Sequence, residues 1–110
     1  MNTKLITSNI SSKSNPQYQQ WLDYAHVPRK RRAAGVVWLE GEHAIAEAIQ
    51  RGAQVQCLVY AQGSPPALNL SVLDLPAFEL TPALFKTLST LDTPSNIAAV
   101  VTQPDRKSVV

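Results

Sequence analysis

Two runs of β-formers, Val36-Val37-Trp38-Leu39 and Val55-Gln56-Cys57-Leu58-Val59-Tyr60, fall within 25 residues of each other, and the residues between them repeat apolar side chains at helical spacing. Ala44, Ile45, Ala48 and Ile49 share one helical face, Glu47 stands one turn before Arg51, and Gly52 supplies the C-terminal stop. Strand, helix, strand at this spacing predicts a βαβ unit, since parallel strands need a crossover between them. The second run is mostly apolar on both faces, which predicts an interior strand rather than an amphipathic edge.

The same reasoning extends outward. Ser14 or Asn15 can cap a helix that Pro16 opens, and Tyr18, Trp21, Leu22 and Ala25 form its apolar stripe until Pro28 interrupts it. Gly63-Ser64-Pro65-Pro66 breaks the chain, residues 67–76 are ambiguous, and Ala77-Phe78-Glu79-Leu80 reads as a short strand. Thr81-Pro82 opens a helix that buries Leu84, Phe85 and Leu88; Asp92-Thr93-Pro94-Ser95 is a turn; Ile97 to Thr102 is a last strand. At 110 residues the chain is one domain. The alternation predicts an α/β fold, a three-layer α/β/α sandwich with a mainly parallel sheet. Residues 1–14, polar and serine-rich, are expected to be a flexible arm, residues 15–102 the domain, and residues 103–110 a linker stub.

Several functions are excluded. The longest apolar stretch near either end, Ile97 to Val101, is far short of a membrane span, and Leu5-Ile6 passes at once into Thr7-Ser8-Asn9 rather than into a secretory signal. Residues 1–22 lack acids, as an organellar presequence does, but they also lack arginine and an amphipathic period. Cys57 is the only cysteine, which removes intrachain disulfides and cysteine-cluster metal sites and predicts a reducing cytoplasm. No nucleophile with a base, carboxylate pair or metal cluster stands at a recognisable spacing. His26 and His43 have no partner pattern, and the four glycines are isolated at element ends rather than gathered in a phosphate loop. No catalytic, cofactor-binding or metal-binding residue is therefore expected. Glu40 and Glu42 flank Gly41 where a strand meets a helix, and an acid near a helix N-terminus has a simple electrostatic reason to be there.

Charge is the sharpest feature. Residues 1–35 hold six bases against one acid, whereas residues 36–110 hold four bases against seven acids. Arg29, Lys30, Arg31 and Arg32 are consecutive. Adjacent cations repel, so either a polyanion gathers them or they form a merely solvated face. Tyr18 and Trp21 are expected in the core, leaving Tyr24 as the aromatic that can be exposed for base stacking.

In chain order, Ile6-Thr7-Ser8, Asn15-Pro16, the run Arg29 to Arg32, Trp38-Leu39-Glu40-Gly41-Glu42-His43, Ala48, Leu84-Phe85, Leu88-Ser89 and Thr93-Pro94-Ser95-Asn96-Ile97-Ala98-Ala99-Val100-Val101 form a distinctive sequence of landmarks. Together they resemble the N-terminal substrate-binding domain of the SpoU/TrmH family of RNA ribose 2′-O-methyltransferases, over nearly the whole chain. The resemblance implies a sandwich similar to small ribosomal proteins that bind kinked RNA, with rRNA or tRNA as partner. It also implies a C-terminal knotted domain, absent here, that binds S-adenosylmethionine and forms a homodimer. On that reading Arg29, Lys30, Arg31 and Arg32 grip phosphates, Lys13 and Asn15 assist, and Glu40-Gly41 shapes the loop beside them. The chain departs from the family pattern in a longer spacing between Ser8 and Asn15, in Gln19 near the place of a usual lysine, and in Ser95-Asn96 before the last strand. Two rival classes remain: a free-standing ribosomal-type RNA-binding protein, and a protein-interaction domain.

Overall fold

The computed structural model describes residues 6–64, 75–92 and 95–103. Within them the elements run β1 (Ile6–Ile10), α1 (Pro16–His26), α2 (Pro28–Ala34), β2 (Val36–Glu40), α3 (Glu42–Gln50), β3 (Val55–Ala61), β4 (Pro76–Leu80), α4 (Pro82–Leu88) and β5 (Ile97–Thr102). Local chemistry sets the boundaries. Asn15 Oδ1 accepts from the backbone N–H of Gln17 at 2.8 Å and of Tyr18 at 3.1 Å, so α1 starts at Pro16. Thr81 does the same for α4, accepting from Leu84 N–H at 3.3 Å. Val27, at φ −120° and ψ 93°, is extended, as a residue before proline is driven to be, and this separates α1 from α2. Gly41, at φ 100°, turns β2 into α3 through a conformation that side chains resist.

The sheet order is β1-β4-β3-β5-β2. β1 with β4 and β4 with β3 pair in parallel; β3 with β5 and β5 with β2 pair antiparallel. Instead of the mainly parallel sheet expected, the pairings divide evenly. β2 and β3 do run the same way across α3, but β5 lies between them and splits the expected βαβ unit. Two physical reasons account for this. Ile97 to Val101 is buried at every position, so β5 needs cover on both faces and two strand neighbours, while β2, with only Val36 and Trp38 buried, tolerates the edge. The chain after α4 is also tied to the carboxyl end of β2, where Ser89 and Thr90 bond Glu40 and Gly41 N–H bonds Ile97 carbonyl at 3.0 Å. β5 therefore begins where its neighbours finish and runs back against them.

The three layers are as expected. On one face α1 and α4 bury Trp21, Phe85, Leu84 and Leu88 against Trp38, Val59, Leu80 and Val100. On the other, α3 lays Ile45 on Leu58, Tyr60, Ala77, Ile97 and Ala99. β3, at the centre, is the interior strand its composition predicts. One boundary changes. The segment expected to be an arm contains β1, in register with β4 from Ile6↔Pro76 to Ile10↔Leu80, with Ile10 buried in the first core. An edge strand can be held by backbone pairing on one side, so its side-chain pattern signals it weakly. The rest of that arm before Ile6, most of the ambiguous stretch, and the linker stub after Gln103 lie outside the described residues. No helix among the described residues is long and apolar enough to cross a membrane.

Candidate nucleic-acid interface

The basic run folds as α2, a seven-residue helix that contributes no buried side chain. Pro28 presets its first turn, and Gly35, in the left-handed region at φ 71°, closes its end with its N–H on the Arg32 carbonyl at 3.1 Å. Gly35 carbonyl in turn accepts from Gln103 N–H at 2.8 Å, fixing this end beside the close of β5.

The four cations divide by role. Lys30 Nζ pairs with Asp23 across 3.3 Å on an exposed surface. Arg31 is half-buried, and its Nη1 donates to the carbonyl oxygens of Tyr24 at 2.6 Å and Ala25 at 3.4 Å. Arg29 and Arg32 are exposed and make no side-chain hydrogen bond or ion pair among the described residues. Three positions apart, they share one face of α2. This pair is the part of the run open to an anion.

The other predicted residues stand elsewhere. Asn15 is at the start of α1, whose 11 residues span ~16 Å before α2 begins. Its Oδ1 is committed to capping. Lys13, exposed, precedes it and accepts from Gln19 Nε2 through its backbone carbonyl at 2.6 Å. Glu40 and Gly41 lie at the opposite end of β2 from Gly35, ~16–20 Å away along the strand, rather than beside the basic residues as expected. Glu40 is a structural hub: it accepts from Trp38 Nε1 at 3.2 Å, Ser89 Oγ at 2.7 Å, Thr90 N–H at 2.6 Å and Thr90 Oγ1 at 2.7 Å. The eight predicted residues thus occupy three places, and only α2 gathers exposed cations.

Among the described residues no aromatic side chain is fully exposed. Tyr24, expected as the exposed aromatic, is half-buried and packs against the first core, and Leu91 is the one exposed large hydrophobic side chain among the described residues. His26, in the last turn of α1, donates from Nε2 to the Thr87 carbonyl at 2.8 Å and ties α1 to α4.

Cys57 belongs to the sheet interior. Burial pushes its thiol up to about 11, with the Val100 backbone and the Trp21 indole pulling weakly the other way. The Trp21 N–H itself has no partner in hydrogen-bond geometry, so its influence on the sulfur is a loose contact and not a bond. A thiol held protonated is not a nucleophile at neutral pH. Among the described residues no group of three His, Cys, Asp or Glu is placed to hold a metal.

A polar pocket of about 310 Å³ lies at the carboxyl end of the strands, lined by Glu42, Ser64, Ser95, Asn96 and Ile97. S-adenosylmethionine needs an apolar slot for its adenine, and among the described lining residues Ile97 is the sole apolar side chain, so these residues do not fit that cofactor.

Residues 15–99 match the family model of the MRM3-like substrate binding domain. Among solved structures, the chain is similar to an RNA 2′-O ribose methyltransferase at 24% identity and a TM-score of 0.77, covering 90% of this chain and 39% of that one. It is similar to the SpoU methyltransferase AviRb from Streptomyces viridochromogenes in complex with AdoMet, at 25% identity and TM-score 0.72, covering 83% and 36%. An AdoMet-bound rRNA methyltransferase from Sinorhizobium meliloti shares the fold at 16% identity and TM-score 0.73, covering 89% and 37%. The chain spans less than two-fifths of the length of each of these structures. No curated protein sequence matches it.

Proposed function

This chain belongs to the MRM3-like substrate-binding domain family, and on that footing we propose that it is the RNA-recognition part of an RNA ribose 2′-O-methyltransferase acting on rRNA or tRNA. The observation that carries the reading is the exposed couple Arg29 and Arg32 on one face of α2, unpaired among the described residues. Two guanidinium groups three positions apart on a short helix would contact phosphates, release counterions on binding, and read backbone rather than base identity. Lys30, already shared with Asp23, adds charge at the margin. Lys13, Asn15, Glu40 and Gly41 are assigned to other parts of the surface.

In the proposed parent enzyme a further domain would bind S-adenosylmethionine, which would supply the methyl group. The role of α2 is to hold the RNA so that a ribose hydroxyl stays within reach of that second domain, converting an encounter into a positioned reaction. The parent enzyme is taken to be a homodimer through its other domain.

Photo-crosslinking tests where RNA lies. A photoreactive residue at exposed Ala33 on α2 should crosslink to bound transfer RNA, and the same residue at exposed Gln50 on α3 should not. Crosslinks from Gln50 with none from Ala33 would move the interface off α2 and end this reading.

A further inference from the structure

We propose that Arg31 is a positioning residue: it contacts no RNA but clamps α2 onto the end of α1 and so holds Arg29 and Arg32 in place. The inference rests on the RNA-binding reading above and deepens it. It begins from a missing donor. In a continuous helix the Tyr24 carbonyl would accept from the N–H four residues on, but that residue is Pro28, which has none. Val27 N–H closes the previous carbonyl, that of Asp23, at 2.8 Å, and after it the chain turns. The Arg31 guanidinium fills the vacancy, with its Nη1 at 2.6 Å from the Tyr24 oxygen and a longer reach to Ala25 at 3.4 Å. A cation at the carboxyl end of a helix is also favoured by the helix dipole.

The clamp matters because little else secures α2. The helix buries no side chain, has no side-chain cap at Val27, and at seven residues is too short to persist by backbone bonds alone. Lys30–Asp23 also bridges α2 to α1, but both side chains are exposed and such a pair holds weakly. Arg31 is half-buried while Arg29 and Arg32 are exposed, so one side of α2 is engaged with the protein and the other left outward.

Three single variants separate a clamp from a phosphate contact: Arg29→Gln, Arg32→Gln and Arg31→Gln, each read by affinity for bulk transfer RNA over a range of salt and by amide exchange. Arg29→Gln and Arg32→Gln should each flatten the plot of log affinity against log salt by ~0.7–0.9, with exchange across α2 unchanged. Arg31→Gln should weaken binding about tenfold at every salt concentration, leave the slope at the parent value, and speed exchange at the Lys30 and Gly35 amides but not at Val59. A slope change in Arg31→Gln equal to that in Arg29→Gln would make Arg31 a phosphate contact and overturn the proposal. Unchanged exchange in α2 would overturn it too, and because exchange needs no ligand it decides the matter even in a protein that ignores transfer RNA. That last outcome, no binding by the parent, would instead sink the RNA-recognition reading.

Discussion

The two ends of β2 are built by different means. At its carboxyl end Glu40 draws four hydrogen bonds from Trp38, Ser89 and Thr90, and the loop before β5 is fastened by side chains far apart in sequence. At its amino end α2 adds nothing to the core and is kept by a proline, a glycine and one arginine, yet it carries the exposed cations. Among the described residues, the firmly held end of β2 carries no free arginine, and the end with free arginines, proposed above to meet RNA, is lightly held. Adjacent cations are mutually repulsive, so placing them outside the packed layers keeps that cost away from the core.

Perturbing both ends at once sets the scale. Trp21 and Phe85 fill the layer shared by α1 and α4, and Phe85→Ala should cost about 3–5 kcal/mol in denaturant unfolding, abolishing any difference between the ends. Glu40→Ala should cost about 2–3 kcal/mol and leave the salt dependence of RNA binding in the folded protein untouched. Should that variant flatten the salt dependence, the carboxyl end would belong to the interface after all.

The interior between the ends has its own signature. Because folding raises the Cys57 thiol to about 11, the stabilising effect of keeping it protonated is complete below the ordinary thiol range and disappears as pH climbs to about 11. Urea unfolding from pH 8 to pH 11 should show a loss on the order of 2 kcal/mol that Cys57→Ala lacks. An equal alkaline loss in Cys57→Ala would assign it to another group. Smallest of all, Lys30→Gln should change stability by less than about 0.5 kcal/mol, since its partner Asp23 is exposed; a larger loss would mean that the pair, and not Arg31, secures α2.

Most elements can be read from local pattern. Asn15-Pro16 and Thr81-Pro82 mark helix starts because cap and φ preference are properties of adjacent residues. The continuous apolar run from Ile97 announces a strand buried on both faces. What local pattern does not carry is the position of that strand between β3 and β2, which depends on the chain staying at the carboxyl end of the sheet after α4. Glu40 fails to declare its role for the same reason: its partners Ser89 and Thr90 lie 49 and 50 residues away. β1 is missed because an edge strand is held largely by backbone pairing to β4. In the candidate site, the presence of cations is legible but their division is not. The pairing of Pro28 with Arg31 three residues on is a local signal for that division, since a proline that deprives the helix before it of a donor invites a side chain to supply one.

Whether Arg29 and Arg32 meet RNA phosphates, as proposed, is decided by the salt dependence of transfer RNA affinity in the Arg29→Gln/Arg32→Gln double variant. The slope should fall by ~1.4–1.8 relative to the parent, with thermal unfolding unchanged. A double variant that binds with the parent's slope would contradict that proposal.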